Sequence, residues 1–476
     1  RHDGDPVAAW AEVTGDPDTS RAYKSARGRG GMVRVGWDDA MEIIAAAYVH
    51  TIRTWGPDRC FGFSVIPAMS MLSYGAGGRF HEPIGATMLS FYDWYADLPP
   101  ASPQVFGDQT DVPEAGDWFN SQYLIMWGTN LPLTRTPDAH FMAEARYHGQ
   151  KVVVVSPDFA DNTKFADDWL RVQPGTDGAL AQAMGHVILK EFHVGKREPM
   201  FLDYMKRYTD SPFLVEIGEV GEGAHEGIEA TTLVPGKFLT AAKMPAGTTE
   251  RTENNEFRPL VIEADGTVKD PGGTLADRFG EEGAGHWNLN LDGVEPVMSI
   301  MDTDEWEAAL IALPRLDLPA ASGQASVGGG YVKRGVPVRR VNGRLVTTVY
   351  DIMLAHYAVE REGLPGQWPT DYMDASTPGT PAWQEEFTSV PAGAAIKIGR
   401  EFAQNAVETQ GRSMILMGAG TNHYYHSDEM YRTFLALTEM CGTQGRNGGG
   451  WAHYVGQEKV RPIMGWGSFT FALDWA

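Results

Sequence analysis

Residues 123–158 read YLIMW, GTN, LPLTRTPDAHFMAEARYHGQ, KVVVV, SPD. The runs 123–127 and 151–155 are five-residue stretches with almost no polar alternation, the pattern of strands covered on both faces. Gly128, Thr129 and Asn130 close the first run, and Ser156, Pro157 and Asp158 close the second. Between them, residues 137–148 carry helical spacing with Asp138 in the first turn. Strand, helix, strand within so short a span predicts a parallel pair joined by a crossover helix.

Outward from this core the same grammar continues. A short strand is expected near residues 169–172, then Pro174-Gly175-Thr176-Asp177 opens a helix running to about residue 192. Residues 413–417 (SMILM) form one more buried strand, closed by Gly418, Ala419 and Gly420. Residues 38–52 read as an amphipathic helix, 391–404 as a helix, and 60–66 as a short strand. Residues 332–349 read as a hairpin turning at Asn342-Gly343. Residues 218–330 are rich in Gly, Glu, Asp and Thr with weak periodicity, and are expected to be an acidic, loop-rich insertion. The fold class is therefore α/β, with a parallel sheet and more than one domain in 476 residues.

Composition is that of a globular chain, 43% hydrophobic and 21% charged, with no apolar run long enough to span a bilayer. The formal charge of −23 repels phosphate backbones, so no nucleic-acid partner is expected. Cys60 and Cys441 are too few for a zinc or iron–sulfur site and read as structural thiols. The chain starts at Arg1 and stops in an apolar stretch, and is expected to be an internal piece of a longer protein.

Three strand ends carry polar or glycine-rich turns, at Gly128, at Asp158 and at Gly418-Ala419-Gly420-Thr421-Asn422-His423. In open α/β sheets ligands sit beyond such ends, where glycines admit a pyrophosphate and backbone N–H groups meet its charge. Good helix caps account for each turn taken singly. The GxGxxG fingerprint of nicotinamide enzymes is absent. Thr176 suits an N-cap and Asp177 the positive end of a helix dipole, while a carboxylate there also matches the N1–H and N2–H₂ edge of a guanine. Residues 442–450 (GTQGRNGGG) form the densest glycine run and suggest backbone packed closely on a bulky ligand. His423 and His426 lie three apart, without a partner at metal spacing.

The most unusual segment is 89–104, LSFYDWYADLPPASPQ. Asp93 and Asp97 stand among four aromatic residues, where a carboxylate is costly to bury unless it is paired or binds metal. Asp97, just before the prolines, also fits a turn cap.

This segment, together with LIMWGTNLPLTRTPDAHF, QPGTDGALAQAMGHVILKEFH, GRSMILMGAGTNHYYH and GGGWAHYVGQEKVRP, resembles the catalytic alpha subunits of membrane-bound respiratory nitrate reductases, in the molybdopterin oxidoreductase family. The likeness runs nearly end to end and is weakest at 219–326. It implies the molybdopterin-oxidoreductase fold with Rossmann-like nucleotide-binding domains. The implied division is 1–118 as the first part of the molybdenum-site domain, 119–217 as a nucleotide-binding domain, 218–330 as the insertion, 331–410 as its α/β continuation, and 411–476 as the return to the molybdenum-site domain.

The resemblance further implies a bis(molybdopterin guanine dinucleotide) molybdenum cofactor. Asp93 matches the metal-ligating aspartate. Gly128, Asn130, Pro157, Asp158, Gly175 and Asp177 match positions holding one guanine dinucleotide. Gly418, Gly420, Asn422, His423, Gly445 and Gly449 match turns near the pterins and metal, with His423 a catalytic candidate. The implied reaction is nitrate reduction to nitrite in anaerobic respiration. The alternatives are nitrite oxidation, chlorate, perchlorate or selenate reduction, or a scaffold without cofactor. Expected partners are nitrate, an iron–sulfur beta subunit and a membrane cytochrome b gamma subunit, with the protein held at the cytoplasmic face of the membrane. The family's N-terminal His/Cys cluster for a 4Fe-4S centre and its C-terminal cofactor domain are not in this sequence, so the piece by itself is expected to be inactive.

Overall fold

The computed structural model describes residues 4–29, 33–63, 71–89, 101–106, 115–134, 136–220, 229, 231–274, 289–315 and 330–453. These fall into two compact units, one within residues 1–98 and one within 99–454.

The first unit holds helices Pro6–Gly15, Pro17–Ser25, Trp37–Trp55 and Met71–His81, with strands β1 (Phe61–Phe63) and β2 (Thr87–Leu89) paired in parallel. Asp5 and Asp16 cap the first two helices through their side chains, each followed by proline at the first helical position.

The second unit is built on a five-stranded parallel sheet. Its strands are β3 (Tyr123–Trp127), β4 (Lys151–Val155), β5 (Asp168–Leu170), β13 (Ser413–Met417) and β14 (Gly450–His453), in the order β14-β13-β3-β4-β5. Every residue of β3 and β13 is buried, as their unbroken apolar sequence demands. Leu124, Met126, Val152, Val154, Met414 and Leu416 make one core face with Met142 of helix Ala139–Tyr147. The opposite face meets helices Asp177–Ile188, Ala392–Thr409 and Ser427–Met440. There Tyr123 packs on Phe402, and Trp127 on Phe434 with ring centroids 4.3 Å apart. Residues 413–453, expected to return to the domain of residues 1–118, instead complete the sheet that holds β3. Parallel pairing at full register with β3 fixes them there.

Between β5 and β13 the chain builds a second body. Strands β6 (Leu214–Glu219), β7 (Leu233–Phe238), β10 (Glu307–Pro314), β11 (Tyr331–Val341) and β12 (Arg344–Thr348) close into a barrel. A small antiparallel pair, β8 (Val261–Ile262) and β9 (Val268–Lys269), lies in the same stretch of chain. The hairpin turns at Asn342 and Gly343 with φ of 49° and 77°, the conformation that Asn-Gly favours. Residues 218–330 thus depart from the expected loop-rich insertion, since their described part supplies β7 to β10. These strands are short or carry alternating exposure, so they lack the long apolar runs that marked β3, β4 and β13.

Candidate functional site

The chain runs from β3 outward to β4 and β5, then returns to β13 and β14 on the other side of β3. The order of strands therefore reverses between β3 and β13, and their carboxyl ends open the crevice where open α/β sheets bind ligands.

At this edge the turn after β3 and the turn after β13 are pressed together. The Gly420 amide donates to the Gly128 carbonyl at 3.0 Å, and the Gly418 amide to the Trp127 carbonyl at 3.4 Å. A Cβ on Gly420 would lie 2.5 Å from the Gly128 oxygen, and one on Gly418 would lie 2.6 Å from the Thr129 Cβ. Gly128 itself has φ of 61° and would strike Thr421. These three glycines are required first by the contact of one turn with the other. Asn162, fully buried in the loop after β4, ties that loop in by donating to the Thr129 carbonyl.

Asp177 is 2% exposed and takes a 2.8 Å hydrogen bond from the Trp127 indole N–H. Its other oxygen, Oδ2, is buried with no hydrogen-bond partner, as is Asn130 Oδ1 on the facing turn. Burial pushes the Asp177 carboxyl above its ordinary range, opposed by the indole N–H and the Gly175 and Asp177 amides. Tyr424 and Tyr431 stand close enough to feel its charge. Thr176 occupies the N-cap position, yet its hydroxyl donates back to the Gln173 carbonyl and does not cap the helix. Gly175 has φ of 84°, and nothing lies within 4 Å of the place its Cβ would take, so this backbone faces open space.

The structure therefore brings Gly128, Asn130, Gly175, Asp177, Gly418, Gly420 and Asn422 to one end of the sheet. Pro157 and Asp158 follow β4 at the same end and are exposed, as is His423. Gly445 and Gly449 are not at this end. They precede β14, whose first residue pairs with Met414 near the start of β13. There a Cβ on Gly449 would overlap the Gly411 carbonyl, and one on Gly448 the backbone of Asn120. The glycine run packs backbone on backbone at the amino ends of the strands, about 16 Å of strand away from the crevice. Asp93 and Asp97 lie outside the described residues. Sequence reading missed Trp127 and Asn162 as parts of this edge. A lone indole N–H ending an otherwise apolar strand was the available signal for the first.

Among the described residues no group of three metal-ligating side chains occurs, and no helix is long and apolar enough to cross a membrane.

The family model for molybdopterin oxidoreductases matches residues 20–474. The chain belongs to that family. It is 58% identical over 99% of its length to the nitrate reductase alpha subunit of Mycobacterium tuberculosis, and 46% identical over 99% to the nitrate reductase alpha chain of Bacillus subtilis. It is 31% identical over 94% to the perchlorate reductase alpha subunit of Dechloromonas aromatica. The chain spans 37% of each of the two nitrate reductase proteins and 40% of the perchlorate reductase. The α/β fold with its parallel sheet accords with this family, whose cofactor is a molybdenum–pterin. The chemistry of this edge suits the pendant part of such a group, since a buried carboxylate oxygen of Asp177 and a buried amide oxygen of Asn130 lack partners and Gly175 has an open side.

Proposed function

We propose that this chain is the central part of the catalytic subunit of a respiratory nitrate reductase, and that its strand-end crevice holds one guanine dinucleotide tail of a bis(molybdopterin guanine dinucleotide) cofactor. The observation that carries the second half is Asp177, a buried acceptor with one oxygen unpartnered at the switch point of the sheet. A guanine presents two parallel N–H donors, which match a carboxylate as they match no neutral side chain. Trp127 fixes the carboxylate by its indole N–H, so the acceptor is oriented before the ligand arrives. The abutting glycine turns keep the mouth narrow and rigid.

The choice of nitrate rests on the 46–58% identity to nitrate reductase alpha subunits, against 31% to the perchlorate reductase. When bound, the cofactor supplies oxygen-atom transfer chemistry at molybdenum. Asp93 is the proposed protein ligand to the metal, on the strength of its sequence context. His423, Asn422 and the Gly418 turn are the proposed near neighbours of the pterin. In the whole protein a 4Fe-4S cluster, an iron–sulfur beta subunit and a membrane cytochrome b gamma subunit complete the electron path, with the catalytic subunit at the cytoplasmic face of the membrane.

The test is nitrate turnover by the full-length subunit carrying Asp93→Ala. Activity is expected to vanish while the protein remains folded. Near-normal nitrate reduction by that variant would end the assignment of Asp93, and turnover of chlorate or nitrite oxidation outpacing nitrate reduction in the unaltered enzyme would end the choice of substrate.

A further inference from the structure

The sequence holds two Asn-Gly pairs, Asn342-Gly343 and Asn447-Gly448. Asparagine before glycine leaves its side-chain amide open to attack by the following backbone nitrogen, because glycine has no Cβ to shield that nitrogen. The two pairs look alike locally. Both asparagines are exposed, and both glycines hold positive φ, 77° at Gly343 and 80° at Gly448. They differ in what surrounds the attacking nitrogen.

At Asn447 that nitrogen is taken. The Gly448 amide donates to Asp117 Oδ2 at 2.8 Å, and the other oxygen of Asp117 accepts from Asn120 Nδ2 at 2.8 Å, which fixes the carboxylate in place. Gly448 is buried, and a Cβ on it would lie 2.3 Å from the Asn120 carbonyl carbon. The next amide, that of Gly449, donates to the Arg446 carbonyl at 2.9 Å. An N–H bound to a carboxylate gives up its proton reluctantly, and backbone packed this closely cannot swing toward the asparagine side chain.

At Asn342 the surroundings are open. Asn342, Gly343 and Arg344 are exposed, and nothing lies within 4 Å of the place a Gly343 Cβ would take. The closed turn, with φ of 49° at Asn342, is not the arrangement for attack, so the tip must first open. Opening asks little. It releases the outermost pair of the hairpin, Val341 with Arg344, the 3.3 Å bond from Asn342 Nδ2 to the Lys243 carbonyl, and the partly exposed ion pair of Arg344 with Glu216.

We infer that Asn342 is a site of spontaneous deamidation and that Asn447 is spared. The Gly343 nitrogen loses its proton to solvent base and bonds to Asn342 Cγ, the Cγ–Nδ2 bond breaks, and ammonia leaves a cyclic succinimide. Water then opens the ring at either carbonyl, giving aspartate or isoaspartate with no change of oxidation state. Either product lacks the N–H₂ group that donates to Lys243. Isoaspartate also adds one carbon to the backbone, which a two-residue turn in register at Val341 and Arg344 does not accommodate. The end of the barrel thus carries a slow covalent mark. This hairpin belongs to the barrel, so its chemistry is independent of the nitrate reductase reading.

The experiment is incubation of the full-length subunit in mildly alkaline buffer, read by peptide mapping in a mass spectrometer and by methyl transfer from an isoaspartyl carboxyl methyltransferase. The peptide holding Asn342 is expected to gain one mass unit and a methyl-accepting isoaspartate. It should do so about tenfold or more faster than the peptide holding Asn447, the factor that a hydrogen bond to a charged group supplies. Asp117→Ala frees the Gly448 amide and is expected to speed the reaction at Asn447 while leaving Asn342 unchanged. Should that variant fail to fold, the unaltered subunit in urea serves, where neither turn exists and the preference for Asn342 is expected to collapse. Asn447 reacting as fast as Asn342 in the folded subunit, no gain at Asn342, or a preference that persists in urea would each overturn the inference.

Discussion

Replacing Asp177 by Asn separates stability from ligand retention in opposite directions. In the structure the Asp177 carboxylate is almost wholly out of water and accepts a single side-chain hydrogen bond, from Trp127. Burial raises its pKa above the usual 3.8. A carboxyl whose folded pKa is raised binds its proton more tightly in the folded state. Its contribution is therefore complete below the unfolded value near pH 4 and is lost as pH rises through the folded value. Asn has the same shape, still accepts from the indole N–H and carries no charge to desolvate. An unpartnered buried N–H₂ costs less than an unpartnered buried charge, so the net gain is on the order of 1 kcal/mol. The cofactor-free full-length subunit carrying Asp177→Asn should thus be more stable than the parent at pH 7, by that amount, with the gap closing toward pH 4. In differential scanning calorimetry this is a rise of about 2–4 °C for the transition of the second unit. The same variant should retain the guanine nucleotide tail poorly, because the Asn N–H₂ group would meet a guanine N–H donor that a carboxylate oxygen accepts. A variant less stable than the parent at pH 7, or a stability gap that does not change between pH 4 and pH 8, would refute the view of Asp177 as a strained, ligand-seeking acceptor.

Other expectations follow from the same geometry. Gly420→Ala places a methyl group 2.5 Å from the Gly128 carbonyl oxygen and should destabilise the second unit by about 1–3 kcal/mol, read as a lower unfolding midpoint; an unchanged midpoint would mean the two turns are not in contact. His186 and His193 are buried and held neutral, with pKa values pushed down to about 4 from 6.5. Depressed folded values contribute stability above pH 6.5 that is lost as pH falls toward 4; in Asp177→Asn one opposing carboxyl is removed, and the three depressed rings, His356 included, outnumber the raised Glu439 and Asp210, so stability should be lost across that window. Its midpoint should fall steadily from pH 6.5 to 4, and a midpoint that holds level or rises would contradict the burial of the three rings.

How much of this was legible beforehand follows from how far each signal reaches. The five-residue apolar runs of β3, β4 and β13 were readable to the residue, because a strand covered on both faces tolerates no polar alternation. The Asn-Gly turn was equally plain, since positive φ at two successive positions leaves few choices of residue. Thr176 stands at the N-cap as expected, but its hydroxyl has a competing acceptor one turn back, and only the fold decides between them. The β11–β12 hairpin was legible, but the closure of the barrel was not, because β6, β7 and β10 find their partners far away in sequence.

The sequence by itself determined the class of fold, the family and the candidate aspartate among aromatics, since apolar period, turn chemistry and motif are local properties of the chain. Tertiary structure alone decided which glycines share an edge. Gly128, Gly418 and Gly420 meet at the carboxyl ends of the strands, while Gly449 packs at the amino ends and Gly445 has open space beside it, although all five look alike in sequence. It also decided that Asp177 is left with an unsatisfied oxygen. The reason is physical: a glycine or an aspartate is chosen by what approaches it, and the approaching atoms come from residues hundreds of positions away.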